Sequence, residues 1–243
     1  MATGQGIGFR GDGLHAWGAV AAIALLLVSC RSGVGSFDNL MDIGACDPNT
    51  ATFTREIDNP FFPLPVGRQI VLEGDESGTD LLVRITVVDE VETVAGVKTR
   101  VVEEYEAKDG RVVEISRNFF AQTKEGTVCY FGEDVDNYDA DGNVTSNAGA
   151  WRADGETFRP GIFMPASLAV GQAFQQEIAP GIAEDQAKVI ALGESTDVPA
   201  GSYGDTATLL DRNPLDGGED TKVYARGIGL IVDEAAQMTS YSG

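Results

Sequence analysis

The side chains of this sequence whose type and spacing could do chemistry are carboxylates. The sequence holds one histidine, His15, so the residues after it offer no Ser-His-Asp or Cys-His relay, no His-ligated zinc, copper or iron, and no histidine proton switch. A serine nucleophile would then need a lysine base, and residues 30–243 contain no Ser-x-x-Lys. Acids, by contrast, are abundant: 38 Asp+Glu stand against 17 Lys+Arg, for a net charge of −21. That balance disfavours nucleic acid as a partner, because phosphates require Lys and Arg.

Three acidic clusters have suggestive spacing. Asn137-Tyr138-Asp139-Ala140-Asp141-Gly142 matches the first half of a Ca²⁺ loop, with oxygen ligands at alternate positions and a glycine for the sharp bend. Position twelve is Ala148 instead of an acid, so Glu133, Asp134 or Asp136 would have to stand in. The same Asp-Gly pair also reads as a plain hairpin turn, and both readings stand at this point. Glu133-Asp134 and Glu184-Asp185 are adjacent acids. Neighbours on a strand face opposite sides, so at most one of each pair can point inward. Two inward carboxylates would make a glycosidase pair or a cation site. Otherwise these acids are solvated turn charges, or buried groups held by backbone N–H donors.

The elements that must position these residues are strands. Leu81, Val83, Ile85 and Val87 alternate with Leu82, Arg84, Thr86 and Val88, and Lys98–Glu106 is rich in Thr and Val. Lys108-Asp109-Gly110 predicts a hairpin into Arg111–Phe120, because Asp-Gly tolerates positive φ. Further strands are expected at Thr127–Phe131, Ala173–Ile178, Ala187–Leu192, Tyr203–Asp211, Thr221–Tyr224 and Gly229–Asp233. Helical periodicity does not intervene. The fold class is therefore mainly β: an antiparallel meander forming a curved sheet or half-barrel, as a single domain. Two proline-rich stretches, Asn59–Gly67 and Pro160–Ala166, are expected as extended edges or loops whose apolar side chains plug an open end of the sheet.

The N-terminus reads as an export signal. Ala16–Val28 is an apolar run of signal length, shorter than a membrane span. Its end, Leu27-Val28-Ser29-Cys30, resembles a bacterial lipoprotein signal. The resemblance implies cleavage before Cys30 and acylation of its thiol, and two or more chains make a stable anchor. The expected organisation is a signal peptide at 1–29, a lipid-anchored tether at 30–50 and a β-rich extracytoplasmic domain at 51–243. Removing 1–29 takes away one base, Arg10, and one acid, Asp12, so the charge stays at −21. Anchoring then falls to the acyl chains. Arg31 stands where aspartate would resemble an inner-membrane retention signal, which leans towards the outer membrane if the source is Gram-negative. An exported chain meets an oxidising compartment, so Cys46 and Cys129 either pair or remain as partly buried thiols.

Several segments occur together in order: Asn59–Gly67, Tyr130–Val135, Met164-Pro165-Ala166, Pro180–Asp185, Val198–Tyr203 and Tyr224–Leu230. Together they resemble a group of uncharacterised bacterial exported lipoproteins, over nearly the whole domain. The resemblance implies a β-rich exported domain and carries no activity. Cys129 stands where that group would have an aromatic, so a bridge would be peculiar to this branch. In plan the chain is also similar to periplasmic carriers of lipoproteins and lipids, whose incomplete barrel holds acyl chains. The expectation is a non-enzymatic binding or envelope-support module of the bacterial cell envelope. Its partners would be the membrane, through Cys30, and a hydrophobic ligand or envelope protein. No cofactor is expected beyond Ca²⁺ at Asn137, Asp139 and Asp141. The alternatives are a Ca²⁺-dependent binding or structural protein and a carboxylate-dependent hydrolase using acids such as Glu133, Asp134, Glu184 and Asp185.

Overall fold

Two-residue turns set the register of the sheet. In the computed structural model, which describes residues 37–243, Asp109 and Gly110 have φ of 50° and 71°, the left-handed pair that matches the twist of antiparallel strands. Ser77-Gly78 and Ala95-Gly96 adopt the same geometry. The three turns join Gln69–Glu76, Thr79–Val94, Val97–Lys108 and Arg111–Thr123 into one meander. Ala95 pays for its positive φ with steric strain that Asp or Asn at this position would largely avoid.

The sheet continues through Val128–Tyr138 to Arg159–Met164 on one side. On the other side Gln69–Glu76 pairs with the C-terminal strand Ala236–Ser242. From there the order runs back through Gly229–Asp233, Glu219–Ala225 and Gly201–Arg212 to Gln186–Val198. With 62% of the described residues in strands and almost no helix among them, this is one antiparallel sheet curved into a nearly closed barrel. The expected half-barrel is thus curved further than a half.

One bent segment accounts for that closure. Ala173–Gln175 pairs with Gln186–Lys188, and Glu177–Ile178 pairs with Arg159–Pro160. The segment therefore hydrogen-bonds to both edges of the sheet, and the Gln176 N–H donates to the Asp185 carbonyl at 2.8 Å. Gly161 permits the approach: a Cβ there would lie 2.2 Å from the Gln176 carbonyl oxygen. The Pro160 segment is accordingly an extended strand, and its neighbour Pro165 lies just past its end.

The other proline-rich segment caps one end of the barrel. Asp58–Asn59 and Phe62–Pro63 form a small hairpin. Asn59 is 2% exposed, and its Nδ2 donates to the carbonyls of Gly126 and Pro165, both at 2.9 Å. The Gln122 Oε1 accepts from the backbone of Asp58 and Asn59, and Gly227 N–H donates to the Pro60 carbonyl. A buried amide whose bonding groups are matched holds its position well. Phe61 and Leu64 are buried beneath this plug.

Outside the barrel, residues 37–57 lie across the outer face of the strands around Phe119 and Phe131. Phe53 meets Phe131 edge-on with centroids 5.3 Å apart. A disulfide joins Cys46, at the end of the short 3₁₀ turn Ile43–Cys46, to Cys129 in the sheet. Cys30 and the apolar leader lie outside the described residues. Among the described residues no helix is long and apolar enough to cross a membrane.

Candidate functional site in the barrel lumen

Alternation decides what the barrel encloses. Along Arg111–Thr123, residues Glu114, Ser116, Asn118 and Phe120 share the inner face. Their antiparallel partners share it too: Glu106 lies opposite Glu114, Glu104 opposite Ser116 and Val102 opposite Asn118. On Val128–Tyr138 the positive φ of Gly132 (122°) coincides with a register shift in the pairing. This bulge puts two residues of unlike parity, Tyr130 and Glu133, into the same lumen.

The lumen has two unlike ends. At the plugged end Phe62 packs on Phe120 and Phe163, with centroids 5.2 and 4.5 Å apart, and Phe120 stacks on Tyr130 at 4.8 Å. Tyr224 completes this aromatic floor. Towards the opposite end, where Asp109-Gly110 and the 213–218 turn lie, the inner positions become acidic. Six carboxylates line the cavity, Glu104, Glu133, Glu177, Asp185, Asp211 and Asp233, together with one lysine, Lys222. Its rim is formed by loop residues Gly149, Ile182 and Asn213. The enclosed space is about 150 Å³, the size that accommodates a single aromatic ring.

Lys222 organises the acidic end. Its Nζ lies 3.6 Å from both Asp211 and Asp233. Burial alone would lower its pKa, but Asp233, Asp211 and Asp220 outweigh that and hold it well above the ordinary lysine range. One lysine does not neutralise six acids. Burial, aided by neighbouring acids, pushes Asp211 up to about 7 and Glu177 to about 8. Asp185 rises to about 6, mainly through burial. Glu104 and Glu133 are driven well above the carboxylate range by burial first, then by Glu106 in one case and Glu177 in the other. Glu114 reaches about 8 for the same primary reason. These groups sit deep in protein, yet Glu104, Glu133, Glu177, Asp185 and Asp233 keep part of their surface turned to the cavity. Four buried carboxylate oxygens among the described residues accept no hydrogen bond: the Oδ1 of Asp211, Asp220 and Asp233 and the Oε2 of Glu114.

The acid pairs of the sequence divide across the wall. Glu133 lines the lumen, whereas Asp134 points outward and pairs with Arg152. Asp185 lines the lumen, whereas Glu184 accepts a hydrogen bond from the Gly181 N–H at 2.7 Å on the rim. Glu133 and Asp185 therefore share one cavity. The 137–142 loop lies apart from it, in the hairpin between Val128–Tyr138 and Val144–Ser146. There the Asp139 Oδ1 accepts from the backbone N–H groups of Asp141 and Asn143, both at 2.9 Å. Those bonds hold the exposed Asp139 carboxyl below its usual range. The Asn137 Nδ2 donates to the Ala148 carbonyl. Among the described residues no three His, Cys, Asp or Glu side chains converge as a metal-holding group.

Sequence reasoning did not single out Glu104, Glu177, Asp211, Lys222 or Asp233. Lys222 sits at the boundary between the polar and apolar halves of the strand Glu219–Ala225, so its own sequence neighbours gave little signal. Glu103-Glu104-Tyr105-Glu106 gave none, because charge on both faces hides which one is inside. No family model, curated protein or solved structure matches the chain.

Proposed function

We propose that this protein is a lipid-anchored, extracytoplasmic bacterial lipoprotein that binds a small ligand in its barrel lumen and performs no catalysis on it. The observation that carries the reading is the two-ended cavity: an aromatic floor sealed by the Asn59 plug, and a polar mouth rimmed by loops. Ligand sites combine apolar surface with convergent polar groups, and this lumen sets an aromatic floor below six carboxylates and one lysine. The anchor rests on the Leu27-Val28-Ser29-Cys30 segment following its apolar run.

Mass spectrometry of protein gently extracted from membranes tests both halves. The expected polypeptide begins at Cys30 and carries acyl chains, and under native conditions it retains a further small mass. Cys30→Ala should move the protein from the membrane fraction to the soluble fraction. An unprocessed chain in the cell interior would contradict the reading.

A further inference from the structure

We propose that the lumen selects small organic cations, specifically a ring-sized apolar body carrying one ammonium group. The inference rests on the lumen being a ligand site and adds the class of ligand.

Charge balance is the first argument. Six acids and a single lysine line the cavity. Burial holds several of these carboxyls protonated, so an entering ammonium draws protons off them and gains carboxylate partners, whereas an anion is repelled by those already ionised and a neutral molecule leaves them as they are. The second argument is an orphan acceptor. Asp211 is only 8% exposed and lines the lumen, yet its Oδ1 has no hydrogen-bond partner. A buried acceptor left unpaired is costly, and an ammonium brings three donors to such a site. The third argument is the floor. Phe62, Phe120 and Phe163 present ring surface below the acids, suited to an apolar body and to the cation above it. The carboxylates are spread round the wall instead of gathered into a metal-sized cluster among the described residues, which fits a diffuse organic cation.

Isothermal titration calorimetry of the full-length protein with benzylamine, benzyl alcohol and benzoate, all at pH 7.5, tests this. The three probes share one ring and differ in charge. Benzylamine should bind at least about tenfold more tightly than benzyl alcohol, and benzoate should give no heat of binding. Asp211→Asn should weaken benzylamine about fivefold or more and leave benzyl alcohol unchanged. Because Asp211 also faces Lys222, Glu177→Gln on the bent 173–178 segment serves as a second variant with the same expected pattern. Benzyl alcohol binding as tightly as benzylamine would overturn the cation inference while leaving a hydrophobic lumen site intact. If none of the three binds, both the inference and the lumen reading fail.

Discussion

The thermal midpoint should fall by on the order of 10 °C between about pH 5 and pH 9, with most of the loss between pH 6 and 8. The lumen acids fix the sign. In the folded state Asp185, Asp211, Glu177 and Glu114 have pKa values of about 6, 7, 8 and 8, raised chiefly by burial. In the unfolded chain each returns to the ordinary carboxylate range. Between the two values the folded state binds protons that the unfolded state does not. The stabilisation is thus fully present below about pH 4 and is lost as pH rises through the folded-state values. For Asp211 the displacement from 3.8 to about 7 corresponds to on the order of 4 kcal/mol. Calorimetric scans at constant ionic strength would measure it, and Asp211→Asn should flatten the slope. A midpoint constant or rising over this range would mean that the lumen acids are hydrated and ionised.

Loss of the disulfide should be the largest covalent effect. Cys46 and Cys129 are 83 residues apart in sequence, and closing a loop of that length stabilises by about 4–5 kcal/mol in the chain-entropy picture. Both cysteines are fully buried, so opening the bridge also loosens the segment that covers Phe131. Urea unfolding of oxidised and reduced protein should show a loss of unfolding free energy of that order, seen as a lower midpoint. In a Cys30→Ala background the native protein should show no free thiol before reduction. Two reactive thiols and an unchanged midpoint would exclude the bridge from the folded state in solution.

Much of the sheet was legible because its signals are local. Asp109-Gly110 names its own turn, and Arg111–Phe120 and Gly229–Asp233 are runs rich in β-branched and aromatic residues bounded by turn residues. The strands Gln69–Glu76 and Ala236–Ser242 escaped notice: Glu73, Asp75 and Glu76 crowd one and polar side chains fill the other. Their pairing joins the two ends of the chain, a contact no local pattern encodes. Closure depends on the bend in 173–178 and on the bare Cα of Gly161, which the sequence shows only as one glycine among 30. The site was half visible. Glu133 and Asp185 stood out as members of acidic pairs, but which of each pair turned inward waited on the Gly132 bulge and the register of the sheet. Lys222 and Asp211 become a site only when two hairpins curve towards the far wall.

The central claim is that the lumen admits a small molecule, and Trp151 can report it. The sequence has two tryptophans, Trp17 and Trp151, so Trp17→Phe leaves one. Trp151 is 3% exposed and packs edge-on against Tyr130 of the lumen wall, with centroids 5.5 Å apart. Emission should be followed while single-ring compounds of positive, zero and negative charge are added. A saturable shift with at least one of them is the predicted result, and calorimetry on Asn118→Trp, which fills the cavity, should show no binding of that compound. An emission spectrum indifferent to every member of the series would contradict the account.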